Sequence, residues 1–190
     1  GTNPKSAGAR LGTAKCMSER AGGDVSSYSD EVREKLVVAY QAVVDLDRRD
    51  VEAYMRIGEL LEFSDPARSA VTYRMYPLNL AAPDKDDAFI AGELVRLSMR
   101  GKDYQKWKWQ ESDEFLSVAQ GLVVMASVQS LDVISNYVDK LEAADQTTAL
   151  CEIYAKVNKR EIDNQTMVDF FQRKAWIAPK KDALRLSPPG

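Results

Sequence analysis

Asp45-Leu46-Asp47-Arg48-Arg49-Asp50-Val51-Glu52-Ala53-Tyr54-Met55-Arg56-Ile57-Gly58-Glu59-Leu60-Leu61 contains both a helix break and a helix, and the fold class follows from it. Its first part is charged almost throughout, and Arg48–Asp50 interrupts the helical pattern before it. Its second part sets Ala53, Tyr54, Ile57, Gly58 and Leu61 at three- and four-residue steps, one stripe of an α-helix. Upstream, Asp30 is placed to cap a helix whose Leu36, Val37, Tyr40, Val43 and Val44 share a face. Downstream, Ser64-Asp65-Pro66 ends the stretch, and Pro66 suits the first turn of a third helix carrying Ala67, Ala70, Val71 and Tyr73 to about Tyr76.

The same periodicity continues along the chain. Pro77 to Pro83 is a connector, and Asp84 to Asp87 supply acids for the N-terminus of a fourth helix bearing Phe89, Leu94, Val95 and Leu97. Gly101 ends it. Ser112 caps a fifth helix with Phe115, Leu116, Ala119, Leu122 and Val123 on its apolar side, and Ser127 or Ser130 a sixth with Leu131, Ile134, Val138 and Leu141. Asp145 and Asp163 introduce two more, with Leu150, Ile153, Tyr154 and Val157, then Met167, Phe170 and Phe171. No period-two strand pattern occurs. The expectation is an all-α fold of about eight helices, with loops short enough to make neighbours antiparallel.

Self-similarity sharpens this. Asp45 to Tyr54 resembles the junction between two tetratricopeptide repeats, which that family writes roughly as E-L-D-P-x-N-x-E-A-W. Tyr54, Ile57, Gly58 and Leu61 stand where the family prefers W, L, G and Y. Ala70 stands where the second helix needs a small residue, and Tyr40 at the aromatic position of the preceding one. Phe89 follows Tyr54 by 35 residues, close to the 34-residue period. Ala82-Pro83-Asp84-Lys85-Asp86-Asp87-Ala88-Phe89 echoes the junction, with Gly92 and Glu93 one place off the leucine–glycine pair. The resemblance covers residues 29–100. It implies helical hairpins stacked as a short α-solenoid whose work is to bind other proteins; periodicity alone gives the hairpins without the family, as would a generic helical bundle. Many co-chaperones of the family grip a partner's terminal carboxylate with Lys and Asn. Here the inner face of Val51–Leu61 offers Arg56 and no asparagine, a departure that puts that clamp in doubt.

Composition narrows the chemistry. The chain has 190 residues and no histidine, which removes the commonest general base, the Ser-His and Cys-His nucleophile pairs and most transition-metal sites. Cys16 and Cys151 have no metal-ligand spacing and no disulfide framework. Asp84-Lys85-Asp86-Asp87 begins like a calcium loop but puts Ala88, Phe89 and Val95 at the next ligand, glycine and bidentate glutamate positions. Asn164-Gln165-Thr166 fits a glycosylation acceptor, and Asp163 as a cap explains it equally well. The reading is therefore no enzyme, no catalytic residue, no cofactor and no metal. A formal charge of −3 gives no reason to expect nucleic acid. The most apolar window, Phe115 to Val128, is interrupted by polar residues and too short to span a bilayer.

Charge divides the chain into three parts. An extended basic tail (1–28) and a C-terminal tail (174–190) together hold eight basic side chains against three acidic ones, and the helical repeat domain (29–173) holds eighteen against twenty-six. Basic arms on an acidic body either reach a partner or fold back. Lys5, Arg10 and Lys15 of the first arm are candidate partner contacts. So is Tyr104-Gln105-Lys106-Trp107-Lys108-Trp109, in which Tyr104, Lys106, Trp107, Lys108 and Trp109 set aromatic rings beside cations, as binding hot spots and membrane-interface anchors do. Residues 1–23, rich in Gly, Ala, Ser and Arg, have the composition of the end of a transit peptide, which points to a chloroplast or mitochondrion rather than the cytoplasm. The functional expectation is a scaffold or linker subunit that contacts other protein subunits, with a membrane surface or membrane-protein subunit of a photosynthetic or respiratory assembly as a further partner. The rivals are a co-chaperone or assembly factor binding transiently, and an enzyme with a carboxylate site.

Overall fold

The computed structural model describes residues 6–22, 24–80, 82–100, 113–128 and 131–143. These form seven α-helices and no strand: α1 Ala7–Arg20, α2 Asp30–Val44, α3 Val51–Glu62, α4 Pro66–Arg74, α5 Lys85–Ser98, α6 Asp113–Val128 and α7 Leu131–Ala143. The helices expected after Asp145 and Asp163, Cys151, and the tail at 174–190 lie outside the described residues. The chain divides into two compact units, one to Pro77 and the other from Leu78.

In the first unit consecutive helices pack on one another, α1 on α2, α2 on α3 and α3 on α4. Each start has a side-chain cap. Ser29 accepts from the Val32 amide, so Ser29 rather than Asp30 caps α2, and Asp30 is its first residue. Asp50 accepts from Ala53 N at 2.9 Å and Asp65 from Arg68 N at 3.0 Å, with Pro66 in the first turn as expected. Leu36, Tyr40, Ile57 and Leu61 fill the core at 1–2% exposure, each contributing about 1.5–3 kcal/mol of burial.

The seam between α3 and α4 is closer than side chains normally allow. A methyl on Gly58 would collide with the Tyr73 ring. Ser69, fully buried, donates its hydroxyl to the Gly58 carbonyl at 2.9 Å. The small residue at this crossing is therefore Ser69, one place before the expected Ala70, which is only half-buried, and Val71 is 43% exposed. A polar residue holds the core position because a backbone carbonyl satisfies it there. Tyr73 and Tyr76 continue the seam. Tyr54 and Tyr76 meet edge to face at 5.2 Å, and the Arg49 guanidinium lies 5.5 Å from the Tyr76 ring centre.

The extended form expected for residues 1–28 is corrected by α1. Ser6 caps it by accepting from Ala9 N at 3.2 Å, alanines favour it, and Gly22, at φ 105°, follows its C-terminus in the left-handed region. Residues 25–27 form a 3₁₀ turn, and Tyr28 returns its hydroxyl to the Ser18 carbonyl at 3.1 Å. The arm folds back on its own unit. Two hairpins result, α1/α2 and α3/α4, joined by two ion pairs: Lys15–Glu52 at 2.7 Å between α1 and α3, and Arg68–Glu34 at 2.6 Å between α4 and α2.

In the second unit α5 packs on α6 and α6 on α7. Asp84 caps α5, and the fully buried Asp87 carboxylate accepts from the Asp84 amide at 3.1 Å and the Asn79 amide at 3.0 Å. That reciprocal arrangement is the capping box, and it ties the connector to the helix. Gly121 lets α6 approach α5: a methyl there would stand 2.9 Å from Val95. Residues 121–125 of α6 are all buried, so this stretch of the helix is enclosed on every side.

Candidate interaction surface

The outward stripe of α3 holds Glu52, Met55, Arg56 and Glu59, with Phe63 just past its end at 67% exposure. Lys15 reaches Glu52, and its hydrogen bond to that carboxylate raises the ammonium pKa. Arg56 donates to Glu59 at 2.8 Å. Arg56, the cation offered for a carboxylate clamp, is thus paired along its own helix. Beneath them lies Tyr40, 1% exposed; burial pushes its phenol pKa up, while Arg56 and Lys15 pull it down and Glu52 pushes it up. Each of these two cations already has its counter-ion, over a buried phenol.

On α5 the outward stripe runs Asp86, Phe89, Glu93 and Arg96. Arg96 grips Glu93 through Nε and Nη2, the latter at 2.6 Å. Tyr137 of α7 lies in the field of both; its own burial raises its pKa, and Lys140 stands 5.8 Å from its ring centre. Phe89 is 40% exposed, so it does not take Tyr54's buried place as the 35-residue spacing had it. In a 34-residue frame the recurrence is partial, since the exposed Arg56 and Phe63 fall on the buried Ile90 and Leu97. Asp50 and Asp84 are both caps, and the buried Ala53, Tyr54, Ile57, Leu60 and Leu61 correspond in register to the buried Asp87, Ala88, Ala91, Leu94 and Val95. On the outward side Glu52, Met55 and Glu59 correspond to Asp86, Phe89 and Glu93. Each helix thus shows acid, large apolar, acid. The signal was in the sequence, hidden because alignment on aromatic residues shifts the frame by one.

The face of α2 and α4 away from α3 is different. Beside the Glu34–Arg68 pair it exposes Val38, Val71 and Met75 at 66%, 43% and 64%.

Of the residues singled out from sequence, Arg10 is exposed on α1 and Lys15 is bound to Glu52. Lys5, Tyr104, Lys106, Trp107, Lys108 and Trp109 lie outside the described residues. Among the described residues no group of three or more His, Cys, Asp or Glu side chains is placed to hold a metal ion, and no helix is long and apolar enough to cross a membrane. No protein-family model, curated protein or solved structure matches the chain.

Proposed function

We propose that this chain is a non-catalytic, tetratricopeptide-like interaction module, a scaffold or linker subunit that holds other proteins through the outward faces of α3 and α5. The observation that carries the reading is the 34-residue recurrence of the cap, of five buried positions and of an acid–apolar–acid stripe between these helices. A repeated core alone would serve packing. A repeated half-exposed stripe with Phe89 40% exposed is more than the core needs, and exposed aromatics between charges are what partners use. The stripe favours a partner presenting basic and apolar side chains. Lys106, Trp107, Lys108 and Trp109 remain the second contact in this reading, and an organellar assembly the setting. The terminal-carboxylate clamp of a co-chaperone is the weaker form, because Arg56 is engaged by Glu59.

The test is site-specific photocrosslinking of the full chain in its own cells, with the reactive group at Arg56, at Phe89 and, as a control, at Thr72. Adducts of discrete mass from positions 56 and 89 are expected. Crosslinks from 72 alone would move the interface to the other face. No adduct from any position, together with turnover in hydrolase or transferase screens, would replace the reading with the enzymatic one.

A further inference from the structure

Although α1 packs along α2 as α2 does along α3, it buries fewer of its side chains than any other helix of the first unit. Of the 14 residues of α1 only Ala14 is buried, against six of the 12 in α3. Gly8 stands in the first turn of α1 and Gly12 in its interior, and a Cβ added at either would meet nothing within 4 Å. Glycine at Gly58 is required by a neighbouring ring; here nothing requires it. Each costs helix stability relative to alanine, and no packing offsets the cost. The first turn also carries no acid to complement the helix dipole. A 14-residue helix of this kind is marginal by itself in water.

Beyond its backbone approach to α2, two side-chain ties hold it. Lys15–Glu52 is a half-exposed ion pair, with side-chain exposures of 45% and 40%. A second tie is Tyr28 to Ser18, and Tyr28 belongs to the segment that leads into α2. Between Ser18 and Tyr28 lies Gly22 at positive φ, a natural pivot. Under α1 are the seat of the Ala14 methyl, the Tyr40 side chain and the Glu52 carboxylate.

We propose that α1 is a detachable strap: residues 7–20 undock and unfold as a unit while α2, α3 and α4 stay folded, opening their seat to a partner helix that presents a small side chain followed by lysine, as Ala14-Lys15 does. The two glycines set how often the strap is open. The inference stands on the first unit alone and does not depend on the tetratricopeptide reading. Local opening of this kind is ordinary where few apolar contacts hold an element. A seat that is open only part of the time weakens any competitor's binding by the closed fraction.

Hydrogen exchange followed by mass spectrometry on the full chain tests it. Amides of 10–20 should exchange at least about a hundredfold faster than those of 34–44 and 55–61. Gly8→Ala with Gly12→Ala should slow exchange in α1 about tenfold, roughly fivefold from Gly12 and about twofold from Gly8 in the first turn, and leave α2 and α3 unchanged. A synthetic peptide of residues 6–21 added in trans should bind the full chain, and bind the double variant weaker by the same factor. Lys15→Ala should act in the opposite direction on both readouts. Protection of α1 equal to that of α2 and α3, or peptide binding indifferent to the glycine substitutions, would overturn the proposal.

Discussion

Gly58→Ala is the sharpest test of the first unit's packing. A methyl at Gly58 points into the Tyr73 ring, and that ring has little room to retreat. Tyr73 is 3% exposed, and its hydroxyl donates to the Met55 carbonyl at 3.5 Å. One turn away Ser69 fixes the approach of the two backbones through its bond to the Gly58 carbonyl. Overpacking of this kind costs about 1–3 kcal/mol, while alanine regains up to about 1 kcal/mol of helix propensity. The net expectation is a loss of about 1–2 kcal/mol, each kcal/mol lowering the melting temperature by about 4–8 °C in a unit of this size. Far-UV circular dichroism during urea and thermal unfolding measures it. The first unit contains no tryptophan, so its unfolding is followed by circular dichroism rather than by tryptophan fluorescence. A double-mutant cycle with Tyr73→Leu isolates the cause: with the ring gone, Gly58→Ala should cost nothing or stabilise, a coupling of about 1 kcal/mol or more. If Gly58→Ala alone stabilises the chain as an open-surface glycine substitution would, the close α3–α4 crossing is wrong.

Asp87→Ala should destabilise by about 1–3 kcal/mol, since it strands the Asn79 and Asp84 amides, and faster exchange of amides 79–90 would register it; unchanged exchange would mean the connector is held otherwise. Arg68→Ala should cost no more than about 1 kcal/mol, and less in high salt, because the Glu34 pair is exposed; a salt-independent loss would contradict that. Tyr40, Tyr54 and Tyr137 have phenol pKa values raised by burial, so the neutral form is favoured in the fold. Their contribution is intact below the unfolded phenol pKa of about 10 and is lost as pH rises through the higher folded values. Phenolate absorbance should therefore lag behind that of exposed tyrosines and rise together with loss of helicity; three freely titrating rings would refute it.

Helix ends in the body were legible because short polar residues at Asp50, Asp65-Pro66 and Asp84 do the same local job wherever they occur. Stripes of β-branched and large apolar residues, as in α2 and α3, were legible for the same reason. Three things were not. α1 carries no apolar stripe and two glycines, so its helical state rests on alanine content and on a seat formed by α2. Ser69 lies in the core because the Gly58 carbonyl happens to be within reach, a long-range fact that no local pattern contains. Asp87 is buried, against the expectation for a carboxylate, since two backbone amides surround it. The outward stripes were written in the chain but need a 34-residue frame, whereas matching the aromatic Phe89 to Tyr54 imposes 35.

The two ion pairs that join the hairpins have opposite polarity. On one side the first hairpin offers the cation, Lys15, to the second hairpin's Glu52; on the other it offers the anion, Glu34, to Arg68. A hairpin docked upside down would bring like charges together on both sides, so the penalty falls on the inverted arrangement rather than on affinity in general. The crossed charges therefore favour the direction in which the two hairpins already meet through α2 and α3, a modest bias set at the rim. Growth by further hairpins would inherit that direction only if each new one carried the same crossed signs.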